Sequence, residues 1–115
     1  MLLAATTVAA LLIASPSLTD ADRIAADGGF LLGNAHRCGI APDQVVAAGR
    51  RIRGLIAAAT DDSGDEARAT KRFAEFFLVS ALADPTKGPV ATCTVVASEL
   101  ARFERHPFKN AGAGG

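Results

Sequence analysis

The sequence predicts an all-α fold, a small antiparallel bundle of three to four helices, and three observations lead to this prediction. Four segments repeat apolar residues at the 3.6-residue period of a helix, and none shows the sustained alternation of a strand. Alanine, leucine, arginine and glutamate, which favour helices, recur in those segments. The chain has 115 residues, of which 50% are apolar and 21% charged, so it suits one folded domain and not a disordered segment.

Residues 1–21 are predicted to be a signal peptide. Their apolar part, Leu2–Ala14, has no charged side chain and is shorter than a membrane span. Small residues leading to Ser17, or to Ala21, provide cleavage sites. The basic residues expected before the apolar part are missing, which leaves two alternatives, a retained N-terminal helix and a membrane anchor.

A helical domain is predicted over residues 22–106, with a flexible tail over residues 107–115. Its first helix opens at Thr19 or Asp20 and stops at Gly39. The pair Gly28-Gly29 weakens the middle of this helix, so either a neighbouring helix packs very close there or the segment breaks in two. The predicted inward residues are Ala21, Ile24, Ala25, Gly28, Leu31, Leu32, Ala35 and Cys38.

Three further helices follow with short connections, so neighbouring helices are expected to pack antiparallel. Pro42 lies in the first turn of helix two, and Ser63 with Glu66 is predicted to form a capping box that opens helix three. The turn Asp84–Pro89 ends helix three and places its second proline at the start of helix four. The predicted inward residues are, for helix two, Val45, Val46, Gly49, Ile52, Leu55, Ile56 and Ala59; for helix three, Ala67, Thr70, Phe73, Ala74, Phe77, Ala81 and Leu82; and for helix four, Val90, Cys93, Val96, Ala97, Leu100 and Phe103.

The two cysteines, Cys38 and Cys93, are predicted to form a disulfide that joins helix one to helix four. An even number of cysteines in a small chain is typical of proteins from an oxidising compartment. In an up-down-up-down bundle, the end of helix one lies beside the start of helix four, so the two residues can meet. The alternative is a pair of reduced, buried cysteines that pack as small apolar side chains. Together with the leader, the pair predicts a periplasmic or secreted protein.

Composition and spacing argue against several classes of function. Twelve basic and twelve acidic side chains give a net charge of zero, which removes the usual basis for binding nucleic acid. The metal-ligand types include Cys93 and His106, but these lie about 20 Å apart along one helix, and His36 and Cys38 diverge, so no metal site is expected. No nucleophile motif is present, and we predict no catalytic residue and no cofactor. The acidic loop at 61–66 is expected to be a solvated helix start, with weak calcium contact as the alternative.

Two groups of residues are candidates for binding. Phe76 and Val79 lie about 60–100° away from the inward face of helix three. Either the bundle covers them, or they form an exposed apolar patch for a partner or small apolar ligand. Arg50, Arg51 and Arg53 form the densest basic cluster, which either contacts an anion or acidic partner or is a solvated helix face whose stems cover apolar surface.

These features predict a non-enzymatic interaction protein of a bacterial envelope or secretory space, which holds a protein partner or apolar ligand on an apolar helical surface. No stable membrane span is expected, and the oligomeric state is left open. In size and architecture the chain resembles periplasmic acid-stress chaperones, a likeness of plan from which no residue is carried over. A chaperone that opens when its carboxylates are protonated is therefore the first alternative, and an enzyme whose site is not recognisable from the sequence is the second.

Overall fold

The computed structural model describes residues 19–106, which form four α-helices. These are α1 (Asp20–Arg37), α2 (Pro42–Ala58), α3 (Ser63–Ala81) and α4 (Cys93–Arg105), and no strand occurs within the described range. The predicted all-α class is confirmed. Most of the predicted leader and the predicted tail, residues 1–18 and 107–115, lie outside the described residues.

Helix α1 begins and ends where the sequence indicates. The hydroxyl of Thr19 accepts a hydrogen bond from the backbone N–H of Asp22 at 3.1 Å, which caps the first turn. At the other end, Gly39 adopts a φ of 78°, and the N–H of Ile40 donates to the carbonyl of Ala35 at 3.0 Å. This arrangement satisfies carbonyls that the end of a helix otherwise leaves without partners.

The starts of the other helices correct two predictions. Pro42 lies in the first turn of α2, as predicted, but the N-cap of α3 is Asp62 and not Ser63. The Asp62 carboxylate accepts a hydrogen bond from the backbone N–H of Asp65 at 2.8 Å. A carboxylate is a stronger acceptor than the hydroxyl of Ser63, which the sequence analysis predicts as the cap. Helix α4 begins only at Cys93, with Thr92 as its cap, so the connection after α3 is longer than predicted.

Helix α1 lies at the centre and contacts each of the other three helices. Gly28 lies level with Ile52, and Leu32 lies level with Gly49, so α1 and α2 run antiparallel. Further along α1, Gly29 and then Gly33 meet successively later residues of α3, so α1 and α3 run parallel and in direct contact. The chain therefore follows an up-down-up course in which the first and third helices touch.

Two glycines let α1 and α3 approach to backbone contact. A Cβ atom added at Gly29 would lie 2.5 Å from the carbonyl oxygen of Phe73 and 2.7 Å from the Cβ atom of Phe76. One added at Gly33 would lie 2.6 Å from the Cβ atom of Ser80 and would also collide with the Phe77 carbonyl. Of the two alternatives for the glycine pair in helix one, close packing is correct, and α1 is unbroken. We call this contact the glycine seam.

The predicted disulfide joins α1 to α4. The Sγ atoms of Cys38 and Cys93 are bonded at 2.12 Å, with their Cα atoms 5.6 Å apart. Beside the bond, the guanidinium of Arg37 donates to the carbonyl of Ala91 at 2.6 Å. The end of α1 is thereby fixed beside the start of α4.

Helix α4 is also attached to α2 at its other end. The guanidinium of Arg51 lies 5.6 Å from the ring centre of Phe103 and donates to the Glu104 carbonyl at 3.1 Å. The side-chain amide of Gln44 donates to the Glu104 carboxylate at 3.0 Å. These contacts hold α4 over the core, whose largest fully buried side chains are Leu32, Ile52, Ile56 and Leu100.

The inward stripe predicted for α1 is correct, while those of the other helices are too wide. All of its residues are buried except Cys38, which is half-buried. Several residues predicted to face inward on the other helices are exposed, because each of these helices contacts the centre along a narrower strip than its apolar pattern suggests. They are Val46, Ala59, Ala67, Ala74, Leu82, Cys93 and Ala97.

The substitution Gly33→Ala should destabilise the fold by about 1–3 kcal/mol, because its methyl group would force the α1 and α3 backbones apart. The control is Gly54→Ala on the exposed side of α2, where an added Cβ meets nothing within 4 Å. That variant should gain about 0.5–1 kcal/mol from helix propensity alone. Urea unfolding of both variants measures the difference, and equal stabilisation by both substitutions would show that the seam is loosely packed.

Candidate interaction surface

Large apolar side chains collect on the outside of α3 and on the adjoining part of α1. We call these five residues the apolar surface; their exposed fractions are 51% for Phe30, 38% for Phe76, 56% for Leu78, 72% for Val79 and 78% for Leu82. Phe76, Val79 and Leu82 follow each other at three-residue steps, and Leu78 precedes Leu82 by four, so they are neighbours on the helix. The predicted pair Phe76 and Val79 therefore belongs to a larger exposed group.

On α1, Phe30 points away from α2. Gly28 packs against Ile52 of α2, and Gly29 faces α3 across the seam. Each residue of a helix is rotated by about 100° from the one before, so Phe30 continues the rotation past α3 to the side opposite α2. Phe76 touches the Gly29 position from α3, which brings the two phenylalanines to the same seam.

On α3, Phe76 and Phe77 lie on opposite sides of the seam. The ring of Phe77 lies 6.0 Å from the ring of His36. His36 follows Leu32 by one helical turn, and Leu32 packs against Gly49 of α2. Phe77 is thus turned toward the α2 side and is half-buried. Phe76 is rotated about 100° from it, to the side where Phe30 lies.

The sequence places Phe76 and Val79 off the core face, but it misplaces Leu82 and does not single out Phe30. Leu82 was predicted to face inward, yet it is the C-cap of α3, beyond the part of the helix that meets α1. Phe30 lies outside the apolar stripe of α1, and this was the available signal for its exposure.

The arginine cluster of α2 is a separate feature. Arg51 is engaged with Phe103 and Glu104 and serves to attach α4. Arg50 and Arg53 are exposed and belong to α2, on the far side of the seam from Phe30. The structure therefore does not bring the basic cluster and the apolar surface together.

The acidic loop before α3 is used to begin that helix. The pKa of Asp62 is lowered, chiefly because its carboxylate accepts a hydrogen bond from the backbone N–H of Asp65. The positive charge of the nearby Arg68 lowers this pKa further. The Asp65 carboxylate itself pairs with Arg68 at 3.1 Å. Among the described residues no group of three or more His, Cys, Asp or Glu side chains is arranged to hold a metal ion.

A small cleft lies between the start of α1 and the α2–α3 loop, away from the apolar surface. Its volume is about 130 Å³, and it is lined by Thr19, Ala21, Ala59, Thr60, Asp61, Asp65 and Arg68. The lining combines helix-capping groups and charged side chains, without a histidine or a cysteine. It therefore provides no apolar enclosure for a ligand.

Comparison with known proteins identifies no family for this chain. No protein-family model matches the chain, and neither curated proteins nor solved structures provide a match. None of the four described helices combines the length and apolar character needed to cross a membrane.

The lowered pKa of Asp62 predicts a pH-dependent start of α3. Because the folded-state pKa lies below the ordinary value of 3.8, ionised Asp62 stabilises the fold above pH 3.8, and this contribution is lost as the pH falls through the lower folded-state pKa. Asp62→Asn keeps a capping oxygen without the charge, so it should remove this part of the acid sensitivity. Thermal unfolding between pH 2 and 7 tests this, with Asp61→Asn as the control; identical pH profiles for all three proteins would contradict it.

Proposed function

We propose that this protein is a non-enzymatic interaction protein that binds a protein partner through the apolar surface. The observation that carries the proposal is the contiguity of its five exposed apolar residues. Single exposed apolar residues are common on soluble proteins, but a contiguous group of large ones marks a site of association. Two aromatic side chains, Phe30 and Phe76, supply rigid contact area within it.

A protein partner fits this surface better than a small apolar ligand does. Small ligands are held in concave pockets of roughly 300–1,000 Å³ that enclose most of the molecule. Val79 and Leu82 are more than two-thirds exposed, which is the exposure of side chains that project into solvent and not of side chains that line a pocket. A complementary protein face can cover such projecting side chains.

The charges beside the surface indicate the chemistry of the partner. Asp27 lies one turn before Phe30, and Glu75 lies one turn before Val79; both are exposed and neither makes an ion pair among the described residues. We therefore propose that the partner presents an apolar contact area bordered by lysine or arginine. Such border charges mainly raise the rate of association.

The disulfide indicates an oxidising, non-cytoplasmic environment. We propose periplasmic or secreted localisation, with a leader removed after Ser17. Cleavage after Ala21 would remove Thr19, whose hydroxyl caps α1, and Ala21 itself, which is buried. Cleavage after Ser17 would leave both in place.

The unreduced intact mass of protein isolated from its natural source should match residues 18–115 less two hydrogen atoms. This single measurement reports the cleavage position and the bond between Cys38 and Cys93. Reduction and alkylation of the same sample provide the control, because they should add two alkyl groups. An uncleaved chain with two free thiols would contradict the proposed compartment.

The double variant Val79→Asp/Leu82→Asp should lose its partner while remaining folded. Both residues are largely exposed, so each substitution should cost at most about 1 kcal/mol, because a carboxylate at the end of α3 opposes the helix dipole. Desolvating two carboxylates at the centre of an apolar contact should weaken binding at least about 100-fold. Native mass spectrometry of tagged protein purified from its source detects the complex.

The matched control is Val46→Asp/Val95→Asp, which replaces exposed valines of α2 and α4, outside the apolar surface. This variant should keep the partner. A partner that both variants retain, or a wild-type protein that is a clean monomer with no bound chain, would contradict the proposal.

An acid-activated stress chaperone is the alternative, and it is favoured by the ionised cap at Asp62, whose protonation weakens the start of α3. Protection of an aggregating client at pH 2–3 but not at pH 7 would support it. An enzyme is the remaining alternative from the sequence, and no arrangement of the described residues favours a particular reaction.

A further inference from the structure

We propose that the Cys38–Cys93 bond is a redox-controlled latch on α4. A dithiol reductant that opens the bond releases α4, while α1, α2 and α3 stay folded around the glycine seam. This goes beyond the proposed function, because α4 contributes no residue to the apolar surface. Access to the bond, the position of α4 in the chain, and the contacts of α4 support the proposal.

The bond lies where a reductant can reach it. Cys93 is exposed, Cys38 is half-buried, and Gly39, which follows Cys38, is exposed as well. A disulfide is opened by exchange, in which a thiolate attacks one of the two sulfur atoms, so the rate depends on access to that atom. Cys93 therefore provides a point of attack while the fold is intact.

Exchange with a dithiol accounts for every electron and proton. A thiolate of the reductant attacks the Sγ atom of Cys93, the bond to Cys38 breaks, and its electron pair leaves with the Sγ atom of Cys38. The second thiolate of the reductant then attacks the first sulfur of the reductant and releases Cys93 as a thiolate. The dithiol becomes a disulfide, and its two electrons and two protons end on Cys38 and Cys93. In an oxidising compartment, a reduced thiol–disulfide oxidoreductase supplies such a dithiol.

The position of α4 in the chain allows it to leave without disturbing the other helices. Helices α1, α2 and α3 follow one another in the sequence, and α4 comes after all of them. The connection from α3 to α4 is not helical, and residues 84–89 within it are all exposed, so this part is not packed against the domain. Once the bond is open, this connection alone ties α4 to the other helices.

The other contacts of α4 are limited. Helix α4 packs against α1 less extensively than α2 or α3 does. Its three buried side chains are Val96, Leu100 and Phe103. The hydrogen bonds that Glu104 accepts from Gln44 and Arg51 are exposed to solvent. Exposed polar contacts contribute little to stability, so they do not replace the covalent bond once it is open.

The contacts that join α1, α2 and α3 do not involve α4. Gly28 packs against Ile52 between α1 and α2, and the glycine seam joins α1 to α3. The Asp22 carboxylate, which is buried, lies 3.4 Å from the guanidinium of Arg72 across α1 and α3. These contacts remain when α4 leaves, so its release is a local opening and not the unfolding of the whole domain.

Release of α4 uncovers part of the core. Helix α4 is attached to α1 by the bond and to α2 by Arg51, so it lies across these two helices. Leu32 of α1 and Ile52 of α2 are fully buried in the same core as Leu100 of α4. The reduced protein therefore presents a second apolar area, on α1 and α2, which α4 covers in the oxidised protein.

Hydrogen exchange in the full chain, residues 1–115, tests the latch. After reduction with dithiothreitol, the amides of α4 should exchange at least about 100-fold faster, because loss of the bond raises the population of the released form. The amides of α1 and α3 at the glycine seam should stay protected and exchange at least about 100-fold more slowly than those of α4. Reoxidation should restore the protection of α4.

The matched control is Cys38→Ser/Cys93→Ser. Its α4 amides should exchange rapidly without any reductant, and dithiothreitol should change nothing further. A second measurement, the rate at which dithiothreitol reduces the native wild-type protein, does not depend on this variant. Since Cys93 is exposed, the rate should lie within about 100-fold of that for the unfolded chain. Gly54→Ala, which should stabilise the fold, should leave this rate unchanged.

Three results would overturn the latch. The first is protection of α4 that survives reduction, and the second is loss of protection in all four helices together, which would mean that the bond supports the whole fold. The third is reduction that proceeds only as fast as the protein unfolds. Each of these leaves the proposed function standing, since Val79→Asp/Leu82→Asp tests the apolar surface in the oxidised protein.

Discussion

The backbone contact between α1 and α3 is the constraint on which the rest of the structure depends. A side chain at Gly29 or Gly33 would collide with the backbone of α3 and prevent the approach seen here. Because α3 reaches α1 in this way, α1 becomes the central helix of the fold. The same approach leaves little room over the seam, so the long side chain of Phe76 lies at its edge.

Helix α4 is held by a different kind of interaction. It is attached at its start by the Cys38–Cys93 bond and near its end by the contacts of Arg51 and Gln44 with Phe103 and Glu104. A bond between residues separated by 55 positions stabilises a fold by about 4 kcal/mol on the chain-entropy model. This is a large share of the stability of a small domain. The buried residues of α4, Val96, Leu100 and Phe103, complete the core under this attachment.

The apolar surface is a consequence of the same architecture. With α1 at the centre, α3 uses one narrow strip to contact it, and the opposite side of α3 faces solvent although its last two turns remain apolar. These side chains do not contribute to the core, and their exposure to water adds nothing to the stability of the fold. Association with another apolar face is the role that we propose for them. We propose that a protein partner supplies that face.

The sequence alone determined most of the secondary structure, because apolar periodicity and helix capping depend on residues that are close in the chain. The stripe of α1, the turn at Gly39, the proline start of α2 and the cysteine pair were predicted because each depends on neighbouring residues or on covalent chemistry. The tertiary structure alone decided which of two acceptors caps α3, and Asp62 took the place of Ser63. It also decided that α1 and α3 touch, and therefore that Leu82 and Phe30 are exposed.

Apolar periodicity identifies a face that is able to be buried, whereas the number and approach of neighbouring helices determine how much of that face is covered. In this chain, the approach of α3 to α1 depends on two glycines, Gly29 and Gly33, which leave room because they have no side chain. The sequence does not show this role, because it depends on where the backbone of α3 lies.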